Sequence, residues 1–210
     1  MKYNPECKTC GLLKSTVDGL APFGPKCVGE GQHDFGIEVE RKIYLISDTH
    51  FNHEKLEQWG GRSGLWQKDI WDGLFQMTEK DTLIHLGDIC IGEDELTHQR
   101  LGRLNCKKIL VRGNHDKKSH NWYLDHGWDF VCDGLELIFH GHYLHLTHRP
   151  ARPQGNTTWN IHGHTHGNSH RSEEYLDFYS PEYHIDISPE IVGFKPVLLK
   201  TLLDKKKRNG

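Results

Sequence analysis

The chain has 210 residues, 26 Lys and Arg against 29 Asp and Glu, a formal net charge of −3 and a mean hydropathy of −0.69. That length suits one domain with a substantial core, or one domain plus a small appendage, and the slightly acidic balance argues against gross charge-driven binding to nucleic acid, though not against a local basic groove. No apolar run approaches the roughly 20 residues that span a bilayer, and residues 1–6 lack a signal-type apolar core, so a cytoplasmic location without a membrane partner is expected. Seventeen histidines are the anomaly, and histidine is the commonest metal ligand. Six cysteines without an export signal point to thiols or metal ligands rather than disulfides.

Residues 1–40 carry Cys7, Cys10 and Cys27 among Gly and Pro without periodicity, the composition of a loop-rich N-terminal extension. Cys7-x-x-Cys10-Gly11 has the shape of a zinc knuckle turn, and with Cys27 and His33 it would form a structural zinc site. The alternatives are reduced cysteines, or a ligand borrowed from Cys106 or Cys132. Three thiolates are one short of the usual iron–sulfur set.

The main domain is expected over residues 41–204. Residues 42–46 alternate as a buried strand and deliver Asp48 and His50 to its C-terminal end, where open α/β sheets bind ligands. On an extended chain, side chains two apart project to the same side. Residues 65–77 place Trp66, Ile70, Leu74 and Met77 on one helical face. Residues 81–86 read as a second strand that ends at Gly87-Asp88. Glu93-Asp94-Glu95 suits the start of a short helix reaching about residue 104. A third strand, 107–111, ends at Arg112-Gly113-Asn114-His115-Asp116, and a short helix covers 119–126. Residues 135–139 and 143–147 form a hairpin around Gly141 whose second arm ends at His148. Residues 158–161 form a strand ending at His162-Gly163-His164-Thr165-His166. Residues 183–187 and 196–203 read as closing strands, and 205–210 as a solvated basic tail.

Five strand ends thus carry Asp48-x-His50, Gly87-Asp88, Gly113-Asn114-His115-Asp116, His148 and Gly163-His164-x-His166. Acids, one amide and imidazoles, with no thiolate, suit divalent Mn, Fe, Zn, Ni or Co better than Cu(I) or an iron–sulfur centre.

In order and content these clusters resemble the signature of the calcineurin-like metallophosphoesterases: D-x-H, G-D, G-N-H-[DE], H and G-H-x-H. The first motif, Ser47-Asp48-Thr49-His50-Phe51 followed by His53, looks most like that of small stand-alone bacterial and phage enzymes, which for a phage-encoded chain would mean the host cytoplasm. The resemblance implies a mixed α/β (α+β) fold, a two-layer β-sandwich flanked by helices, with two divalent metal ions at the strand ends. By motif position Asp48, His50 and His166 would hold one ion, Asn114, His148 and His164 the other, and Asp88 both. Mn2+ is the first expectation for these ions. Such pairs lie about 3.5–4 Å apart. A hydroxide held between the ions would attack the phosphorus, and unligated His115 would face the substrate as a catalytic residue with Asp88.

The phosphoprotein phosphatases of the superfamily extend the second motif to G-D-x-V-D-R-G, but here Gly87-Asp88-Ile89-Cys90-Ile91-Gly92 lacks both the later Asp and the Arg. A phosphodiester of nucleotide or nucleic-acid type is therefore favoured over a phosphoprotein. The alternatives are a phosphomonoesterase, or a metal-binding module whose cysteine-rich leader docks nucleic acid or protein. His53, Arg62 and Arg112 are candidate substrate contacts, each with a structural or ion-paired role as the plainer reading. His85 and His162 are expected to be packed, His140 and His142 to sit at a turn, and Cys90 and Cys132 to act as small apolar groups.

Overall fold

The computed structural model describes residues 41–53, 55–56, 62, 64–168 and 173–209. The chain divides into two units, Met1–Arg41 and Lys42–Gly210, and the architecture below is that of the second. The expected zinc ligands Cys7, Cys10, Cys27 and His33 lie outside the described residues.

In chain order the elements are β1 (Ile43–Ile46), α1 (Trp66–Leu74), β2 (Thr82–His85), α2 (Asp94–Gly102), β3 (Lys107–Val111), α3 (His120–Asp125) and β4 (Phe130–Cys132). They continue as β5 (Leu135–Phe139), β6 (His142–Leu146), β7 (Trp159–His162), a 3-10 turn at Glu173–Tyr175, β8 (His184–Asp186), α4 (Pro189–Val192), β9 (Val197–Leu198) and α5 (Leu199–Asn209). One sheet has the order β4-β3-β2-β1-β9 and the other β5-β6-β7-β8. The β1–β2, β2–β3 and β3–β4 pairs are parallel, as are β6–β7 and β7–β8. Parallel pairing aligns the C-terminal ends of β1, β2 and β3, and likewise those of β6 and β7, which is where all five polar clusters fall.

Strand periodicity sorts the core into two layers. Leu45 and Ile84, together with Val111, face the second sheet and pack with Leu144, Leu146, Ile161 and Ile185. Their neighbours Ile46, Leu83 and Leu110 face the other way, onto Trp66, Ile70 and Leu74 of α1, Leu101 of α2 and Tyr123 of α3. The result is a two-layer β-sandwich flanked by helices, as the family resemblance implied. Lys108 is buried on the helix side only because its Nζ donates to the Leu104 and Cys106 carbonyls, each at 3.0 Å. The hairpin turn is His140-Gly141, with φ of 49° and 80°, between the paired residues Phe139 and His142. Two consecutive left-handed residues match the twist of the flanking strands.

One expected element is corrected. Residues 196–203 form only a two-residue strand, after which α5 runs from Leu199 to Asn209. A short apolar run does not distinguish strand from helix. Here Leu199 and Leu203, one helical turn apart, insert into the inter-sheet core. The basic residues Lys206, Lys207 and Arg208 occupy the last turn of that helix, where cations meet its unsatisfied carbonyls favourably. Helix α4 was not anticipated.

Candidate metal centre

The five clusters converge. Asp48 is fully buried, and its Oδ2 accepts from Ser47 Oγ at 2.5 Å and from the His164 backbone N–H at 2.8 Å. Its Oδ1 is buried without a hydrogen-bond partner among the described residues, 3.7 Å from His50 Nε2 and 3.4 Å from His166 Nε2. Asp88 Oδ1 accepts from the His115 backbone N–H at 2.8 Å. Its Oδ2 lies 3.7 Å from His50 Nε2, 3.3 Å from His148 Nε2 and 3.9 Å from His115 Nε2. His148 Nε2 is 3.1 Å from both Asn114 Oδ1 and His164 Nδ1. Two groups of ligand atoms that could hold an ion follow: Asp48, His50 and His166, and Asp88, His148 and His164.

The backbone reaches this arrangement through an unusual conformation. Asp48, His50, Asp88, His164 and His166 all have φ between 43° and 68°, a left-handed region that costs a non-glycine residue about 1–3 kcal/mol. Asp48 and His50 therefore do not converge because the chain is extended, as expected; β1 has ended at Ile46. Bonds between the motifs offset the strain. Asp48 N–H donates to the Gly87 carbonyl at 2.9 Å, His50 N–H to that of Asp88 at 3.0 Å, and Phe51 N–H to that of Ile89 at 2.8 Å. Asp116 accepts from the backbone N–H groups of Asp88, Ile89 and Gly113 at 2.7–3.1 Å, which ties the second motif to the third. Gly163 is required by contact: a Cβ there would stand 1.9 Å from Ser47 Oγ and 2.0 Å from Asp48 Oδ2.

Several of these candidate ligand imidazoles are oriented from behind. His148 Nδ1 donates to the Leu86 carbonyl at 2.8 Å, which turns Nε2 toward the carboxylates. His166 Nδ1 sits 3.0 Å from Glu190 Oε1 and 3.3 Å from Arg62 Nη2. The shorter contact to the carboxylate places the Nδ1 proton on that bond and leaves Nε2 facing Asp48. Asp186, at the end of β8, accepts from Thr165 Oγ1 and the Gly167 N–H with Oδ2, and from Ser188 with Oδ1, so it latches the loop that carries His164 and His166.

The charge pattern calls for cations. Burial pushes the Asp48 carboxyl up. Burial would do the same to Asp88, but the bond and charge of His148, with His50, hold it below the usual carboxylate range. Desolvation holds His50 well below the ordinary imidazole value, as a neutral ligand needs. An orphaned buried carboxylate oxygen facing two imidazole nitrogens fits a divalent ion. Bonds of about 2.0–2.2 Å put neighbouring ligands roughly 3.0–3.5 Å apart, close to the separations found.

The remaining expectations divide. His115 is exposed on the open side, its ring centroid 5.4 Å from that of His50. His53 stands 5.8 Å from His50, and partial burial, with His115 and Arg62 nearby, lowers its pKa. His85 is packed, accepting from the Gly87 N–H at 3.0 Å and lying 2.9 Å from Thr49 Oγ1. His162 is packed as well. Arg62 and Arg112 are not placed for the phosphate contact that was one reading of them. Arg62 is buried behind His166, donating to Glu190 Oε1 and to the Asp48 and Thr49 carbonyls. Arg112 forks onto Asp133 Oδ1 at 2.7 and 2.9 Å and reaches the Lys118 carbonyl. Sequence reasoning missed Glu190, Asp186 and Arg149. Only Arg149 had a local signal, its place directly after His148.

A two-layer α/β sandwich with paired carboxylate–imidazole clusters at its strand ends defines a metallophosphoesterase. The calcineurin-like phosphoesterase superfamily domain matches residues 42–181, and the chain belongs to that superfamily. It is 29% identical over 174 residues to the uncharacterized protein MJ1445 of Methanocaldococcus jannaschii, covering 78% of this chain and 90% of that one. Among solved structures, the protein of unknown function AQ665 from Aquifex aeolicus is similar at 26% identity and a TM-score of 0.64, over 79% of this chain and 99% of that one. An archaeal phosphodiesterase is matched at 22% identity and a TM-score of 0.42, over 70% and 82% of the two chains. Membership places the chain among phosphoester hydrolases that typically use two divalent ions, and two candidate ligand groups are present. No described helix is long and apolar enough to cross a membrane.

Proposed function

We propose that the chain is a dinuclear metal-dependent phosphodiesterase acting on nucleotide or nucleic-acid-type phosphoesters. The supporting observation is Asp88, a single carboxylate whose Oδ2 lies within 3.7 Å of His50 Nε2 on one side and 3.3 Å of His148 Nε2 on the other. In this reading Asp48, His50 and His166 hold one ion, Asn114, His148 and His164 hold the other, and Asp88 serves both. Mn2+ is the expected ion, and Fe, Zn, Ni or Co suit the same donors. When bound, such a pair supplies Lewis acidity toward phosphoryl oxygens and a water nucleophile at neutral pH.

The protein's own groups complete the chemistry. His115 presents an exposed imidazole beside Asp88, while its backbone N–H is fixed by Asp88 Oδ1. That imidazole donates a hydrogen bond to the phosphoryl group and passes a proton to the departing oxygen. His53 flanks the His50 side, where the substrate's ester group enters. A phosphoprotein substrate is disfavoured by the second motif, where Ile91 stands at the position of the later Asp and offers no second carboxylate to steer His115.

The Mn2+-loaded chain is assayed on bis-p-nitrophenyl phosphate and p-nitrophenyl phosphate. Turnover of the diester above the monoester is expected. His115→Ala should retain two ions and lose turnover by about 10²-fold or more. Two bound ions with no turnover of either ester would overturn the reading.

A further inference from the structure

Arg149 follows His148 and has an exposed side chain that is nonetheless held in place. Its Nη2 donates to Asn114 Oδ1 at 3.4 Å, and its Nη1 to Glu174 Oε1 at 3.2 Å and Tyr175 Oη at 3.3 Å. Tyr175 is 5% exposed, and its ring stands 6.2 Å from that of His164. A long exposed side chain is ordinarily free to wander; here a buried phenol and an amide of the ligand cluster fix its head. A guanidinium offers five N–H donors. Among the described residues these three bonds leave two donors open, Nε–H included, beside the cluster of Asn114, His148 and His164. Arg62 and Arg112, the two arginines flagged in the sequence, are committed elsewhere. The partner Glu174 is itself exposed, and an exposed ion pair is weak enough for an incoming oxyanion to replace it.

We infer that Arg149 receives a non-bridging oxygen of the substrate phosphoryl group on the Asn114 side of the site, positioned for it by Tyr175. The inference rests on the phosphoesterase reading for the identity of the anion. The planar fork matches two phosphoryl oxygens in a way a lysine cannot. A guanidinium already in place adds no ordering cost when the substrate arrives.

The test uses the full chain loaded with Mn2+ and inorganic phosphate as the probe, read by calorimetry and as a competitive inhibitor of diester hydrolysis. Arg149→Ala should weaken phosphate by about ten- to a hundredfold, the size of a lost charge-assisted pair, and raise KM more than it lowers kcat. Arg149→Lys should recover part of that loss, and Tyr175→Phe should fall between, all three keeping two ions by elemental analysis. Phosphate affinity within about twofold of wild type in Arg149→Ala would overturn the inference. Loss of an ion from that variant would overturn it too, since the guanidinium would then serve Asn114. A wild-type protein that fails to bind phosphate also counts against it. Arg149-dependent phosphate binding without turnover of any ester would sink the phosphoesterase reading alone.

Discussion

Arg62 Nε donates to Glu190 Oε1 at 2.8 Å, and the arginine side chain is fully buried. The same Glu190 oxygen meets His166 Nδ1. Burial opposes ionisation of Glu190, but His166 and Arg62 outweigh it and hold the carboxyl below its ordinary range. Arg62 therefore belongs to the scaffold of His166 and not to the substrate face. Glu190→Ala frees the His166 ring and strands a buried cation. Affinity for one of the two ions should drop about 10- to 100-fold, and the metal-free protein should lose about 3 kcal/mol. A chelator competition and urea unfolding measure the two effects. An alanine variant that binds both ions like wild type would contradict the role given to this pair.

Asp116 has a comparable duty between motifs. Its carboxylate accepts three backbone N–H groups, and replacement by alanine leaves those donors without their partner. Asp116→Ala is expected to cost about 3 kcal/mol or more in urea unfolding. It should also loosen Asp88, whose own N–H is one of the three, so metal content should fall even under conditions where the variant remains folded.

Gly163 tests how close the loops must come. The added methyl of Gly163→Ala would collide with Ser47 and with the Asp48 carboxylate. The expected result is one bound ion in place of two, seen by elemental analysis, with turnover lost. Gly141→Asn is the control: its left-handed φ of 80° suits asparagine, and none of the described residues lies within 4 Å of the new Cβ. That variant should keep both ions.

Away from the metal centre, His98 gives a pH dependence of defined sign. Its Nδ1 accepts from Trp128 Nε1 at 2.9 Å, and burial lowers its pKa from 6.5 to about 4. The unfolded ring takes a proton as pH falls below 6.5 while the folded ring does not, so this stability is full above that value and is lost toward pH 4. At pH 5 the loss from this residue is on the order of 2 kcal/mol, since each pH unit in that window is worth about 1.4 kcal/mol. His98→Gln should show a shallower fall in urea-unfolding stability between pH 7 and pH 5. A fall as steep as that of wild type would rule His98 out as a contributor.

The candidate ligand residues were legible because each belongs to a polar cluster that closes an apolar run. Alternation in residues 42–46, 81–86 and 107–111 marked the strands, and the polar residue after each run marked its end. The hairpin at His140-Gly141 was legible for a similar local reason. Residues 196–203 were misread because a run of that length satisfies either period until a neighbour chooses. The choice was made by the inter-sheet core, which accepts Leu199 and Leu203 one helical turn apart.

Local pattern thus carried the strand ends and the candidate ligand side chains, since strand period and ligand chemistry are properties of a few adjacent residues, while the fold class came with the family resemblance that those motifs carry. How those side chains meet is not such a property. The left-handed backbone at Asp48 and His50 persists only because Gly87, Asp88 and Ile89 offer carbonyls to it. The fate of Arg62 depended on Glu190, 128 residues away, and an exposed arginine and a buried one look the same in a sequence until the fold brings the carboxylate to it.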